Sequence, residues 1–168
     1  LTIIGEGAKP AGLCGSGLID AAACLIEAGQ LDETGYLDDD TAEISAPVVL
    51  TQQDIRMVQL AKSAICAGIK TLMHNTKTNA DGISVFYLAG GFGSYLDIKN
   101  AGRIGLVPAE LTDKVSVIGN AALTGASMLL LDKELRAEAT SLSKNVSVAD
   151  LATDPFFAEE YMTGMLFE

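Results

Sequence analysis

Apolar positions recur at helical spacing over two stretches of the chain. Leu18, Ala22, Leu25 and Ile26 repeat on one face of a segment starting near Ser16, and Gly29 supplies the natural stop. A longer helix opens at Thr51, where Asp54 three residues on makes a variant of the capping box, and runs to about His74. With residues set 100° apart, Ile55, Val58, Ala61, Ile65, Ile69 and Leu72 share the predicted core face. Gln52, Arg56, Gln59, Ser63 and Lys70 fall together on another. Runs of β-branched and aromatic residues predict strands over 1–4, 48–50, 83–89 and 114–119, with 145–151 as an edge strand. Between these lie a loop over 5–12 closed by Pro10, a polar connector over 32–43 and turn chemistry over 76–82. Three further helices are predicted beyond residue 90. Asp97 caps a short one through Ile104, an Ala-rich one spans Asn120 to about Glu138, and an amphipathic one closes the chain over 155–165. Pro108 begins a single helical turn ending near Leu111. Strands alternating with helices, with no internal repeat and no low-complexity linker, predict α/β layers in one domain.

The strand over 83–89 ends in Gly90-Gly91-Phe92-Gly93. A bare turn needs one or two glycines, whereas a backbone against which a ligand lies gains from each missing Cβ. Gly90 and Gly91 fit that second use; Gly93 is expected to let the chain turn toward Asp97. Gly119-Asn120 joins the next strand to the Ala-rich helix, where Ala121, Ala122, Gly125 and Ala126 present a nearly smooth surface suited to close packing. On the long helix the polar face reads first as a solvated stripe. Lys62 breaks into the apolar arc, and its ammonium reaches either water or a bound anion or ring at the boundary. Gln59, Lys62, Ser63 and Cys66 are spaced so that all could touch one ligand lying along that helix. His74, the one histidine, sits near a helix C-terminus where its charge is favourable, and Asp38, Asp39 and Asp40 read as a solvated loop. No GxSxG, HExxH or GxxxxGK[ST] motif occurs, and the glycine string does not match GxGxxG.

The chain has 168 residues, 49% of them hydrophobic, with 17 glycines and no tryptophan, so its core is built from small aliphatic side chains. A formal charge of -11 speaks against broad contact with nucleic acid or with an anionic membrane surface. Cys14, Cys24 and Cys66 form an odd set without a CxxC pair, which fits reduced thiols in a cytoplasm better than disulfides or zinc. No apolar run reaches transmembrane length and no signal segment opens the chain. The first residue is Leu1, entering directly on a strand-like segment, which reads as a piece of a longer polypeptide.

Four motifs in order, "GLCGSGLID", "LTQQDIRMVQLAKSAICAGI", "LAGGFGSYLD" and "IGNAALTGA", together with the closing "DPFFAEEYMTGMLF", give the whole chain a resemblance. It resembles the C-terminal actin-like ATPase domain of the reductive activators of corrinoid proteins, iron–sulfur proteins with an ATPase module. The wider superfamily joins sugar kinases, acetate kinase, heat-shock chaperone ATPases and actin. The resemblance implies an α/β, ribonuclease H-like actin-type fold, a mixed sheet flanked by helices, with residues 1–168 as one domain, the C-terminal lobe of a larger ATPase. Its adenosine motif, a strand ending in apolar-x-Gly-Gly, is matched by Leu88-Ala89-Gly90-Gly91, and its small-residue connecting helix by Gly119 to Ala126. Gly90, Gly91 and Phe92 are thereby implied around the adenosine. The superfamily's helix contacts to adenine and ribose, spaced 0, 3, 4 and 7, bring in Gln59, Lys62 and Ser63, with Cys66, as second contacts. The two Asp-Gly phosphate hairpins of the superfamily are not matched here, so this chain reads as the nucleoside half, without catalytic residues and with little ATPase activity alone. The resemblance further implies ATP with Mg²⁺ in the intact protein, and a [2Fe-2S] cluster in an N-terminal region not ligated by these cysteines. It implies a corrinoid protein partner, reduced from cob(II)alamin to cob(I)alamin, and is compatible with a homodimer. A small-molecule kinase of the same superfamily and a non-catalytic interaction module are the alternatives.

Overall fold

A computed structural model describes residues 2–167. Helix α1, Gly15–Glu27, begins where extended Cys14 accepts the Gly17 N–H on its thiol, and it ends at Ala28, followed by Gly29 at φ +70°. The helix boundaries therefore follow the apolar repeat and its glycine stop. Strands β1, Thr41–Ser45, and β2, Val48–Thr51, form an antiparallel hairpin with Ala42 opposite Leu50. The connector over 32–43 is thus more structured than its polarity suggested: Leu31 and Leu37 pair across it and both are buried, and its end supplies β1. Ala42 and Ile44 alternate inward, enough for a half-buried strand.

Helix α2, Gln52–Asn75, opens on the expected capping box. The Asp54 carboxylate accepts the Thr51 N–H at 2.8 Å and the Thr51 hydroxyl at 2.7 Å, while the Thr51 oxygen accepts the Asp54 N–H at 3.2 Å. Strand β3, Phe86–Ala89, starts later than the apolar run predicted, because its parallel partner β4, Val115–Gly119, begins opposite Phe86. Between them run the four-residue α3, Gly91–Ser94, then α4, Ile98–Arg103, capped by Asp97, and a 3-10 segment over Ala109–Lys114.

The single Ala-rich helix expected over 120–138 is two helices, α5, Ala121–Leu131, and α6, Lys133–Ser143. Asp132 is extended at φ -129° and ψ 122°, and its carboxylate accepts the Glu134 and Leu135 N–H groups, which makes it the cap of a new helix rather than a residue within one. Residues 2–4 and 145–151 are not strands, since no neighbouring strand hydrogen-bonds them, and residue 1 lies outside the described residues. Helix α7, Pro155–Thr163, closes the chain with Asp154 as its cap.

The core joins Ile19, Ala22, Ala23 and Leu25 of α1, Ile55 and Val58 of α2, and Ala101 and Ile104 at α4. Asn100 donates to Asp20 at 2.8 Å and Arg103 pairs with Glu27 at 2.9 Å, fixing α4 along α1. α2 departs from its expected orientation. Ile65 and Leu72 of the predicted core face are 48% and 52% exposed, and Ala61 is exposed as well. Gln59 and Ser63 of the supposed solvated stripe are buried at 1% and 0%. α7 and the residues after it lie on that polar side, and their main-chain carbonyls make its burial tolerable. Among the described residues, no helix is long and apolar enough to cross a membrane.

Candidate functional site

β3 and β4 run parallel and give out side by side in glycine. Ala89 pairs with Gly119, and the Gly90 N–H donates to the Gly119 carbonyl at 2.7 Å. Both glycines have positive φ, +96° at Gly90 and +64° at Gly119, which side chains with a Cβ rarely adopt. α3 starts at once after Gly90, and α5 starts after Asn120, whose side-chain oxygen accepts the Leu123 N–H at 3.0 Å. Strand carboxyl ends and helix amino ends therefore share one edge, the place where open parallel sheets bind ligands. The Ser94 hydroxyl donates to the Gly90 carbonyl at 3.0 Å and braces the turn from its far side.

The glycines of this edge divide by use. A Cβ built on Gly90, Gly91 or Gly119 would meet nothing within 4 Å, so the missing side chains leave open backbone. On Gly93 it would stand 2.8 Å from Leu88 Cδ2, so Gly93 serves the close packing of α3 on β3 rather than a change of chain direction. Phe92 is 47% exposed, and two carbons of its ring lie 2.9 Å from where a Cβ on Gly15 would stand. That contact brings the start of α1 to the glycine turn. Gly15 was not singled out from the sequence, where the glycines of "GLCGSG" were the available signal, and Gly119 was marked only as the start of the connecting-helix motif. Beside Gly15, the exposed Cys14 thiol is held below the ordinary thiol range, first by the Ser16 hydroxyl and then by the Gly17 N–H.

Gln59, Lys62 and Ser63 form a second group, on α2. The Gln59 amide donates to the carbonyls of Thr34, at 3.0 Å, and Met165, at 2.7 Å, tying two distant segments to the helix. The Lys62 ammonium donates to the carbonyls of Gly164 at 2.7 Å and Leu166 at 2.5 Å, with the Phe167 ring 4.8 Å away. Ser63 donates to the Tyr161 carbonyl. Further along α2, Lys70 pairs with Glu160 at 2.9 Å, His74 stacks on Phe156 at 4.1 Å, and Asn75 donates to Asp154 at 3.0 Å. The Asn75 amide, with the first N–H groups of α7 and the His74 charge, holds the Asp154 carboxyl below the usual range. Gly90, Gly91 and Phe92 are thus together at the end of β3, while Gln59, Lys62 and Ser63 are together beneath residues 161–167. Each group has its own partners. Cys66 is buried, and Cys14 and Cys24 are exposed free thiols. Among the described residues, no three His, Cys, Asp or Glu side chains gather as metal ligands.

Residues 1–168 match the family described as the C-terminal domain of RACo, the ASKHA domain. A corrinoid activation enzyme, RamQ, of Eubacterium limosum is 34% identical over 99% of this chain and 32% of its own length. A [Co(II) methylated amine-specific corrinoid protein] reductase of Methanosarcina barkeri is 25% identical over 93% of this chain and 29% of its own. A solved reductive activator for a corrinoid, iron-sulfur protein superposes with a TM-score of 0.80 at 31% identity, over 92% of this chain and 28% of that one. The chain spans about a third of the length of the curated relatives it matches.

Proposed function

This chain belongs to the family of RACo C-terminal ASKHA domains, and from that premise we propose that it is the nucleoside-binding lobe of an ATP-dependent reductive activator of corrinoid proteins. One observation carries the proposal: the open, Cβ-free backbone of Gly90 and Gly91 at the carboxyl edge of two parallel strands. An adenosine resting there would lie on main chain, with the half-exposed ring of the next residue, Phe92, beside it. The hydrogen bond from Gly90 to Gly119 and the Ser94 brace hold that surface before a ligand arrives, so little ordering accompanies binding.

ATP binding and hydrolysis would supply the free energy that drives association with the corrinoid protein, in which one electron from a low-potential donor reduces cob(II)alamin to cob(I)alamin. This chain's residues bind and orient the nucleoside. The superfamily's two Asp-Gly phosphate hairpins are not matched in this chain, and on this reading Mg²⁺, the phosphate chemistry and the [2Fe-2S] cluster belong to other parts of the intact protein, in the cytoplasm. Gln59, Lys62 and Ser63 could reach a nucleoside only if residues 161–167 left α2. In the observed state the contacts are assigned to Gly90, Gly91 and Phe92 alone.

The test uses the full-length protein with a corrinoid protein in the cob(II)alamin state, a low-potential reductant, and ATP present or absent, followed by the visible spectrum. The expected result is cob(I)alamin formation that requires ATP. Reduction at the same rate and extent without ATP would contradict the proposal, phosphorylation of a small acceptor would indicate a kinase, and failure to bind ATP would leave an interaction module.

A further inference from the structure

We propose that Gly15 is a positioning residue for the nucleoside site, acting through Phe92; the inference rests on the nucleoside reading of the glycine turn. α3 is a single short turn that cannot fix its own side chains, and Phe92 is half exposed. What the ring finds beside it is the bare backbone of Gly15, so close that a Cβ there would stand 2.9 Å from both Cδ2 and Cε2. Carbon atoms do not approach to that distance without displacement.

The displacement falls on the ring. α1 is anchored by Ala22 and Ala23, both fully buried, and its first turn is held by Cys14 and Ser16. The ring has solvent on its exposed side and swings about its own χ angles. Gly15 has no positive φ, and as the first residue of α1 it would accept alanine without backbone strain. Its lack of a side chain therefore serves the Phe92 ring and not the helix. A glycine at the start of one helix thus sets where an aromatic wall stands beside a turn some 75 residues later in the chain.

The experiment compares wild type, Gly15→Ala, Phe92→Ala and the double variant in the full-length protein, titrated with ATP and ADP by calorimetry. Gly15→Ala is expected to weaken nucleotide binding about five- to tenfold, the scale of one lost aromatic–base contact, with melting temperature held within about 3 °C and turnover at saturating ATP preserved. Phe92→Ala should weaken binding by at least as much. The double variant should bind like Phe92→Ala alone, because without the ring nothing collides. A fluorinated phenylalanine at position 92 gives a readout without nucleotide: its resonance should move in Gly15→Ala. An unmoved resonance, an unchanged affinity in Gly15→Ala, or a full additional loss in the double variant would each overturn the role of Gly15. Wild type that binds no nucleotide would overturn the underlying nucleoside reading instead.

Discussion

α5, with the sequence AALTGASMLLL, has no buried residue, whereas α2 buries Gln59, Lys62, Ser63 and Thr71 beside its aliphatic residues. Hydropathy alone would assign the two helices the other way round. The difference lies in partners: α7 and the chain end cover α2, their carbonyls accept from Gln59, Lys62 and Ser63, and the Thr71 hydroxyl donates to the Ala67 carbonyl of α2 itself. Among the described residues no buried side-chain polar atom lacks a hydrogen bond. α5 leads away from the glycine edge, and Leu130 and Leu131 stand open to solvent. Apolar character records what a residue would gain on burial, and the surrounding elements decide whether it is buried.

The comparison breaks most readily at its aliphatic extremes. Ile55→Ala, at a fully buried position, should lower unfolding stability by about 2–5 kcal/mol. Leu131→Glu, at a position 89% exposed, should change it by no more than about 0.5 kcal/mol. Urea unfolding of both variants measures this, and similar losses would show that α5 is covered. Lys62→Met sharpens the polar side of the contrast. It leaves the carbonyls of Gly164 and Leu166 without their donor while relieving the burial of an ammonium, and the net loss should be about 2 kcal/mol. Proteolysis should then cleave within residues 161–167 first, and equal protection in the variant would show that Lys62 does not hold the segment.

Smaller effects follow at the start of α2. Thr51→Ala removes the hydroxyl of the capping box and should cost about 1 kcal/mol, read from the same urea midpoints. The carboxylates there and in the 31–37 turn also set an acid limb. The Thr51 hydroxyl and then its N–H hold Asp54 below the usual carboxylate range, and the Tyr36 N–H, followed by the Thr34 hydroxyl, does the same for Asp32. Folded-state values below the unfolded value of about 3.9 mean that this contribution is complete above that pH and is lost as pH falls through the folded values. Stability should decline below about pH 4, and Asp54→Asn should flatten that decline. An acid limb of unchanged slope in Asp54→Asn would remove Asp54 from it.

Local chemistry was readable where both partners lie within one turn of chain. The Thr51–Asp54 box, the Asp97 cap and the Asn120 cap are all of this kind, and all are present. The orientation of α2 was not readable, because the carbonyls that satisfy Gln59, Lys62 and Ser63 come from residues about 100 positions later. A helical projection separates two faces without saying which one another segment will cover. Asp132 was missed for a related reason: as a cap it differs from a mid-helix aspartate only through the N–H groups it meets. At the candidate site the Gly90-Gly91 turn stood out in the sequence. Its coupling to Gly119 and Gly15 required the parallel pairing of β3 with β4 and the placement of α1.

Gly91→Val in the full-length protein tests the nucleoside site most directly. Gly91 has no positive φ, and a Cβ there meets nothing within 4 Å, so the new side chain starts into the open space that a ligand lying on the turn would fill. Calorimetric titration with ATP should show affinity reduced at least about tenfold, or ~1.4 kcal/mol, in a protein whose melting temperature is unchanged. Wild-type ATP affinity in that folded variant would contradict the placement of the nucleoside on Gly90 and Gly91.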